Sequence, residues 1–269
     1  MRMERNTYMK LYFDNYPKGR SMSRLLLAAL LVFGASVAWA QSPDFHAMLA
    51  RLDEQSSFTG QDYSARLRMV SEDPEEGAEV RSARTFRRDD DDAFVILFTE
   101  PEDQLGQGYL MVDENLWFYD PISRKFTHTS LKENLQGTDA KNSDLGQSNL
   151  AGDYKVASSR QGKLGSFDVW ILDLEATNNE AVYPFKRVSI SVNNELLLKS
   201  EDYSLSKRLL RTAYYTSYVK ASGSCVADKI LFVDALVPGK KTQFGMTEIS
   251  VAPLPDSVFT KAYIERVNR

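Results

Sequence analysis

Short segments with a two-residue period run through most of the chain. In "DYSARLRMV", residues 62–70, apolar side chains alternate with polar ones, which is typical of a half-buried strand. About a dozen such segments follow, with Gly, Pro, Asn or Asp at most joins and no helical pattern between them. The predicted class is mainly β (α+β): one domain with a single curled antiparallel sheet. A sheet of this size is expected to form an incomplete β-barrel.

Two helices are predicted to cover this sheet, one near each end of the exported chain. The N-terminal one lies in "SPDFHAMLARLDEQ", where Asp44 is the expected N-cap and the apolar residues recur at helical spacing. The C-terminal one lies in "PLPDSVFTKAYIERVNR", with Asp256 as the expected cap. Its predicted apolar stripe consists of Val258, Phe259, Ala262, Tyr263 and Val267. Phe259 and Tyr263 are expected to cover a sheet face or the barrel opening.

Residues 1–40 have the pattern of a secretory signal peptide. Arg20 and Arg24 precede the apolar run 25–37, and the small-residue site Ala38-Trp39-Ala40 follows. Cleavage after Ala40 is expected, and Met22 is a possible true start. An uncleaved N-terminal anchor is the alternative. The exported domain would then be residues 41–269.

Charge and cysteine content restrict the location and partners of that domain. Six of the 33 Lys and Arg and two of the 37 Asp and Glu lie in residues 1–40, which leaves 27 basic and 35 acidic residues. This net charge of −8 argues against nucleic acid and against electrostatic docking on anionic lipid, and only transient contact with a membrane is expected. Cys225 is the only cysteine, so no lipid-anchor Cys stands at the cleavage site. The predicted location is the periplasm.

Catalytic motifs are missing from the sequence. The chain has only His46 and His128, and it contains no G-x-S-x-G, H-E-x-x-H, C-x-x-C or Walker sequence. The run "DDDD", residues 89–92, lacks the ligand spacing of a calcium loop and is interpreted as a solvated hairpin tip. We therefore expect no enzyme activity, cofactor or metal, although a paired-carboxylate glycosidase stays open.

Several strands are apolar on both faces. In "AFVILF", residues 93–98, neither set of alternating side chains is polar, and "LWFY" and "VWIL" repeat this pattern. Both faces must therefore meet apolar surroundings. One face could line a ligand cavity, and a packed core explains the pattern equally well. The candidate cavity residues are Phe94, Ile96, Phe98, Leu110, Trp117, Tyr119, Trp170 and Leu172.

One polar segment, residues 131–153, interrupts the strands. It is rich in Gly, Asn, Asp and Ser, and a loop of this length is usually functional or mobile. Arg66 and Arg68 are candidates for holding a lid by hydrogen bonds, although solvated strand arginines are the simpler interpretation.

The sequence resembles the LolA-like family of outer-membrane lipoprotein-sorting proteins. The resemblance rests on residues 98–130, on "LQGTDAKNSDL" at 135–145, and on "YSLSKRLLRTAYYTSYV", "PGKKTQF" and "PLPDSVFTKAYIERV". It implies an incomplete β-barrel around an apolar cavity, with helices as plug or lid. It also implies a lipoprotein or lipid cargo, with an inner-membrane export complex and an outer-membrane acceptor as candidate partners.

The predicted function is a soluble periplasmic carrier or chaperone that binds a lipoprotein acyl chain or another lipid in an apolar cavity and moves it toward the outer membrane. A long acyl chain needs such a shield, because each methylene kept from water is worth roughly 0.8 kcal/mol. Two alternatives remain: an accessory protein of an envelope export system that binds a protein partner, and a hydrolase of lipid or glycan.

Overall fold

The computed structural model describes residues 43–267, so the predicted signal peptide lies outside the described residues. Within this range, thirteen strands form one antiparallel sheet, and three α-helices accompany it. The helices are α1 (Phe45–Ser56), α2 (Leu150–Asp153) and α3 (Lys261–Val267). The strands are β1 (Asp62–Asp73), β2 (Gly77–Arg88), β3 (Ala93–Glu100), β4 (Gly108–Val112), β5 (Asn115–Asp120), β6 (Lys125–Thr129), β7 (Tyr154–Leu164), β8 (Phe167–Ala176), β9 (Phe185–Ser191), β10 (Leu197–Tyr203), β11 (Leu209–Ala221), β12 (Ser224–Asp234) and β13 (Lys241–Ser250).

The sheet consists of two meanders joined along one seam. Its order is β6-β5-β4-β3-β2-β1-β13-β12-β11-β10-β9-β8-β7, and β1 pairs with β13 from Ser64 opposite Ser250 to Glu72 opposite Lys241. Strands β6 and β7 are therefore the two edges, and the sheet is not closed into a barrel. The predicted fold class, a single antiparallel sheet in the form of an incomplete barrel with a helix near each end, is confirmed.

This topology explains the length of the polar segment 131–153. The segment connects β6 with β7, which lie at opposite edges of the sheet, so it has to cross one face. It contains two 3₁₀ turns, Leu135–Gly137 and Asn142–Leu145, and then α2. Leu135, Ala140 and Leu145 are buried in the same cluster as Phe232 of β12. The segment is thus packed as a cover on the sheet.

Cross-strand pairing defines the two faces, because directly opposite residues point to the same side. One continuous row runs from β8 to β13 through Leu172, Val188, Ser200, Ala213, Phe232 and Thr242. Leu172 and Val188 pack with Met48, Leu49 and Leu52 of α1. We call this side the α1 face. The opposite side, where Val95, Leu97 and Leu110 pack against Phe259 and Ile264, is the C-terminal face.

Helix α1 begins and packs as its sequence predicts. Asp44 is the N-cap, and its carboxylate accepts a hydrogen bond from the backbone N–H of Ala47 at 3.0 Å. Met48, Leu49 and Leu52 are buried, and Phe45 meets Trp170 edge-on with 5.2 Å between ring centroids. The helix is also held by a bidentate pair from Arg51 to Glu195 in the turn between β9 and β10.

The C-terminal segment differs from the single capped helix that was predicted. It forms a 3₁₀ turn, Asp256–Phe259, and then α3, with Thr260 in an extended conformation between them. Asp256 does not cap a helix, and its carboxylate accepts a hydrogen bond from Arg88 instead. Val258 and Phe259 are buried, but Ala262 and Val267 are exposed. Ile264, absent from the predicted stripe, is fully buried because the break at Thr260 changes which side of α3 meets the sheet.

The aspartates at 89–92 are more than a solvated tip. Asp89 is buried, accepts a hydrogen bond from the N–H of Phe58 at 2.8 Å and pairs with Arg87. Asp90 accepts one from the N–H of Gly60 at 2.9 Å. These two carboxylates thus fix the connection between α1 and β1.

Candidate functional site

A cavity of about 260 Å³ lies on the α1 face between the sheet and its covers. Side chains from α1, from residues 143–154 and from strands of both meanders line it. Its apolar wall includes Leu52, Leu145, Leu150, Val188, Leu197, Val226, Ile230, Phe232 and Met246. The covers position this wall, because Leu52 belongs to α1, and Leu145 and Leu150 belong to the crossing segment.

A row of charged groups lies at the polar side of the cavity, where Asp144, Lys186 and Arg211 line it and Asp202 is fully buried beside them. Arg211 of β11 donates to Asp202 Oδ2 from Nε at 2.7 Å, and its two terminal nitrogens donate to Asp144 at 2.6 and 2.8 Å. Asp202 also accepts a hydrogen bond from Lys186 of β9. Two cations and two carboxylates therefore alternate. Their opposite charges offset part of the free-energy cost of burying them.

The surroundings of Arg211 fix its position further. Its guanidinium lies 5.0 Å from the ring centroid of Tyr183 and 4.9 Å from that of Phe232, so both rings contact the cation. Its Nη1 also donates to the backbone carbonyl of Asp139 at 3.0 Å. Arg211 thus links β11 directly to two positions of the crossing segment, Asp139 and Asp144.

Burial and charge pairing shift the pKa values of Asp202 and Arg211 in opposite directions. Desolvation alone would raise the pKa of Asp202, but Lys186 and Arg211 outweigh it and hold that pKa below its ordinary value. Desolvation likewise opposes the charge of Arg211, but the carboxylates of Asp144 and Asp202 raise its pKa well above the ordinary value. Asp202 and Arg211 therefore stay charged at neutral pH.

The crossing segment has further contacts with the sheet and with α1. Asp139 donates its N–H to Thr242 Oγ1 and accepts a hydrogen bond from that hydroxyl at 2.9 Å. Burial raises the pKa of Asp139. Asp53 of α1 accepts hydrogen bonds from the hydroxyl of Ser148 and from the backbone N–H groups of Leu150 and Ala151. The two covers of the cavity are therefore joined to each other.

The eight predicted cavity residues lie on two different faces of the sheet. Five are on the α1 face, where Phe94, Ile96 and Phe98 join the core around Phe232, and Trp170 and Leu172 pack with α1. Three are on the C-terminal face, where Leu110 and Tyr119 pack near Phe259 and the ring centroid of Trp117 lies 3.3 Å from Lys261 Nζ. The eight are thus not brought together, and none lines the 260 Å³ cavity. Their binding role stays a prediction.

The structure also shows where the residues considered for a lid or for catalysis lie. Phe259 is buried and Tyr263 half-buried, both on the C-terminal face. Arg66 is exposed and pairs with Glu248 at 3.1 Å, away from the crossing segment, and Arg68 is exposed too. His128 is exposed and meets the edge of Trp117.

Sequence reasoning missed Arg211, Asp202 and Asp144. One sequence feature could have indicated the site: Arg211 is a charged residue on the buried side of the strand "LLRTAYY", the side that also carries Ala213. A buried charge requires a partner, and the polar segment 135–145 contains two aspartates.

Comparison with known proteins agrees with this architecture. A family model with the description "Uncharacterized protein" matches residues 90–266, more than half of the chain. The chain belongs to this family. No curated protein sequence matches it.

Solved structures show the same fold. A LolA superfamily protein from Nitrosomonas europaea is 24% identical with a TM-score of 0.70, and the match covers 81% of this chain and 97% of that one. A putative outer membrane lipoprotein-sorting protein domain from Vibrio parahaemolyticus is 18% identical with a TM-score of 0.72, covering 82% and 98%. A DUF1329 family protein from Desulfovibrio piger is 18% identical with a TM-score of 0.72, covering 81% and 97%. The LolA-like resemblance is confirmed for the fold.

The helices and the potential metal ligands of residues 43–267 bear on membranes and metals. None of the helices in this range has the length and apolar character needed to span a bilayer. Within the same range, no group of three or more His, Cys, Asp or Glu side chains is arranged to hold a metal ion.

Proposed function

We propose that the protein is a periplasmic carrier that shields an acyl chain of a lipoprotein or another lipid. The observation that carries this proposal is the cavity on the α1 face, which has a largely apolar wall and two covers joined by polar contacts. Each methylene moved from water into such a wall gains roughly 0.8 kcal/mol, so a long chain is strongly favoured there. The proposal needs no catalytic residue.

The size of the cavity supports a cover that opens. At about 260 Å³ it is smaller than typical ligand pockets, which have volumes of about 300–1,000 Å³. A long acyl chain therefore needs additional space, and displacement of the crossing segment 131–153 provides it. Polar contacts can hold that segment when the cavity is empty and can be exchanged for water when it moves. Release of cargo uses the same motion in reverse.

Cys225 offers a direct test, because it lines the cavity and is the only cysteine of the chain. Burial raises the pKa of its thiol, so alkylation by a maleimide is slow and depends on access. We expect saturating palmitate to reduce the alkylation rate several-fold. The control is Cys225→Ser/Ser166→Cys, which moves the thiol to an exposed turn, and its rate should not change with palmitate.

Two results would contradict the carrier proposal. One is an unchanged Cys225 rate with both palmitate and a diacylated lipopeptide. The other is an equal reduction in the Ser166→Cys control, because the slower alkylation of Cys225 would then not come from a ligand in the cavity. Periplasmic location is tested separately, by sequencing the N-terminus of the protein recovered from the native envelope.

A further inference from the structure

Two neighbouring turns expose apolar side chains at one end of the strands β10 to β13. Leu205, in the turn between β10 and β11, is 83% exposed. Leu236 and Val237, in the turn between β12 and β13, are 43% and 39% exposed. These are three of the nine strongly exposed large hydrophobic residues in the range 43–267. We call the turns 204–208 and 235–240 together the apolar tip.

The two turns are adjacent in space. Strands β11 and β12 are paired with Arg211 opposite Asp234; Arg211 lies shortly after the first turn and Asp234 directly before the second. The N–H of Ala235 in one turn donates to the carbonyl of Leu210, next to the other turn, at 3.0 Å. The exposed side chains therefore belong to one surface.

Positive charge accompanies the apolar residues. Lys207 and Arg208 follow Leu205 in the same turn, and both are exposed. Neither forms an ion pair within the described part of the chain, although Lys207 Nζ lies 4.9 Å from the ring centroid of Phe185. Lys240 is paired with Asp73 at 2.9 Å. The unpaired charge of the apolar tip thus comes from Lys207 and Arg208, in a protein whose exported part has net negative charge.

The apolar tip is held rigidly by its own hydrogen bonds. In the first turn, the N–H of Lys207 donates to the carbonyl of Ser204, and the N–H of Arg208 donates to the Ser204 hydroxyl. In the second, Asp234 Oδ1 accepts from the N–H groups of Leu236 and Val237. Because the backbone of both turns is already ordered, burying their exposed apolar side chains against a binding partner costs little conformational entropy.

We propose that the apolar tip docks the protein on the surface of an anionic phospholipid bilayer. Apolar side chains on ordered turns can enter the headgroup region, while neighbouring Lys and Arg contact anionic headgroups. The adjacent turn carries Glu75 and Glu76, so the contact is limited to the apolar tip and orients the molecule on the membrane. Its biological purpose rests on the proposed carrier function, because a carrier must meet the membranes it serves.

Flotation of the purified protein with vesicles tests this docking. We expect binding to vesicles of phosphatidylethanolamine and phosphatidylglycerol, weaker binding at high ionic strength, and much weaker binding to phosphatidylcholine vesicles. Lys207→Glu/Arg208→Glu should reduce binding on the order of tenfold or more, since each basic residue near an anionic surface contributes to the attraction. Leu205→Ser/Val237→Ser should reduce it several-fold.

Matched controls lie at the opposite end of the strands. Phe167→Ser/Val192→Ser removes exposed apolar residues there, and Lys163→Glu/Lys220→Glu reverses exposed charges, so both should bind as the parent protein does. Absence of vesicle binding, equal binding to phosphatidylcholine, or equal losses in the controls would overturn the proposal. Protection of Cys225 by palmitate, measured without vesicles in the same variants, separates this failure from failure of the carrier function.

Discussion

Arg211 donates two hydrogen bonds, at 2.6 and 2.8 Å, to the carboxylate of Asp144. This pair joins a central strand of the sheet to the segment that crosses its α1 face. Arg211 keeps a second carboxylate, Asp202, when the pair is broken. When the crossing segment detaches, Arg211 therefore keeps one carboxylate, which it shares with Lys186, so opening the cavity costs less than it would if the cation lost its only partner.

Replacing Asp144 with Asn should loosen the crossing segment. The amide cannot accept both hydrogen bonds from the guanidinium, so the free energy of unfolding should fall by about 1–3 kcal/mol. We also expect faster alkylation of Cys225 in the ligand-free protein, because the cavity opens more often. Denaturant titration and maleimide kinetics measure the two effects.

Glu248→Gln is the control for this charge removal. Glu248 pairs with Arg66 and Arg84 on the exposed C-terminal face, so its loss should cost about 0–1 kcal/mol and leave Cys225 unaffected. If Asp144→Asn lowers stability but leaves the alkylation rate at its parent value, the pair does not control access to the cavity.

Truncating Ile264 should destabilise the fold without changing the cavity. Ile264 is fully buried in the cluster on the C-terminal face, opposite the face that holds the cavity. Ile264→Ala should therefore cost about 2–5 kcal/mol of unfolding free energy. Palmitate should still protect Cys225 in the folded variant.

Val267→Ala is the matched control, since Val267 is exposed on the same helix and its truncation should be nearly neutral. Lost protection in a folded Ile264→Ala protein would show that α3 guards the cavity after all. Deletion of residues 256–269 extends the test and should impair folding, because Phe259 and Val258 are buried as well.

Local patterns predicted helix α1 well but the C-terminal segment only in part. In α1, an N-cap and four apolar residues at helical spacing all describe one uninterrupted helix. In the C-terminal segment, the same 3.6-residue period was extended from Val258 to Val267, across the break at Thr260. A single extended residue resets the phase of the pattern, and that is why Ile264 was missed.

The candidate site is formed by contacts between residues far apart in the sequence, and sequence periodicity does not predict such contacts. Apolar strands such as "AFVILF" showed that both faces are covered, but not which cover lies on which face. That assignment follows from the pairing of β1 with β13, which puts β6 and β7 at opposite edges. The partners Arg211 and Asp144 are 67 residues apart, so only the fold brings them together.

Filling the cavity should weaken ligand binding. Ala227 is a small residue in the cavity wall, and Ala227→Phe places a ring in the space proposed for the acyl chain. Overpacking should cost about 1–3 kcal/mol of stability, and protection of Cys225 by palmitate should require a higher ligand concentration. Ala252→Phe, at an exposed position after β13, should change neither quantity. Undiminished protection in Ala227→Phe would place the ligand elsewhere.

Low pH should remove the stabilisation that the Asp62 carboxylate gives to the folded protein. Asp62 accepts hydrogen bonds from Arg88 at 2.8 Å and from the N–H of Leu254 at 2.5 Å. The bond from Arg88, aided by that from Leu254, lowers the pKa of Asp62 below its ordinary value of 3.8 despite partial desolvation. Because the folded-state pKa is the lower one, the stabilisation is present above 3.8 and is lost as the pH falls through the folded-state pKa.

Asp62→Asn should consequently destabilise the protein by about 1–3 kcal/mol at neutral pH, and the difference from the parent protein should shrink at about pH 3. Denaturant titrations of both proteins at the two pH values measure this change. Asp103→Asn replaces an exposed carboxylate, and its difference in unfolding free energy from the parent protein should be the same at both pH values. A difference for Asp62→Asn that stays constant with pH would mean that the hydrogen bonds, rather than the carboxylate charge, hold the C-terminal segment to β1 and β2.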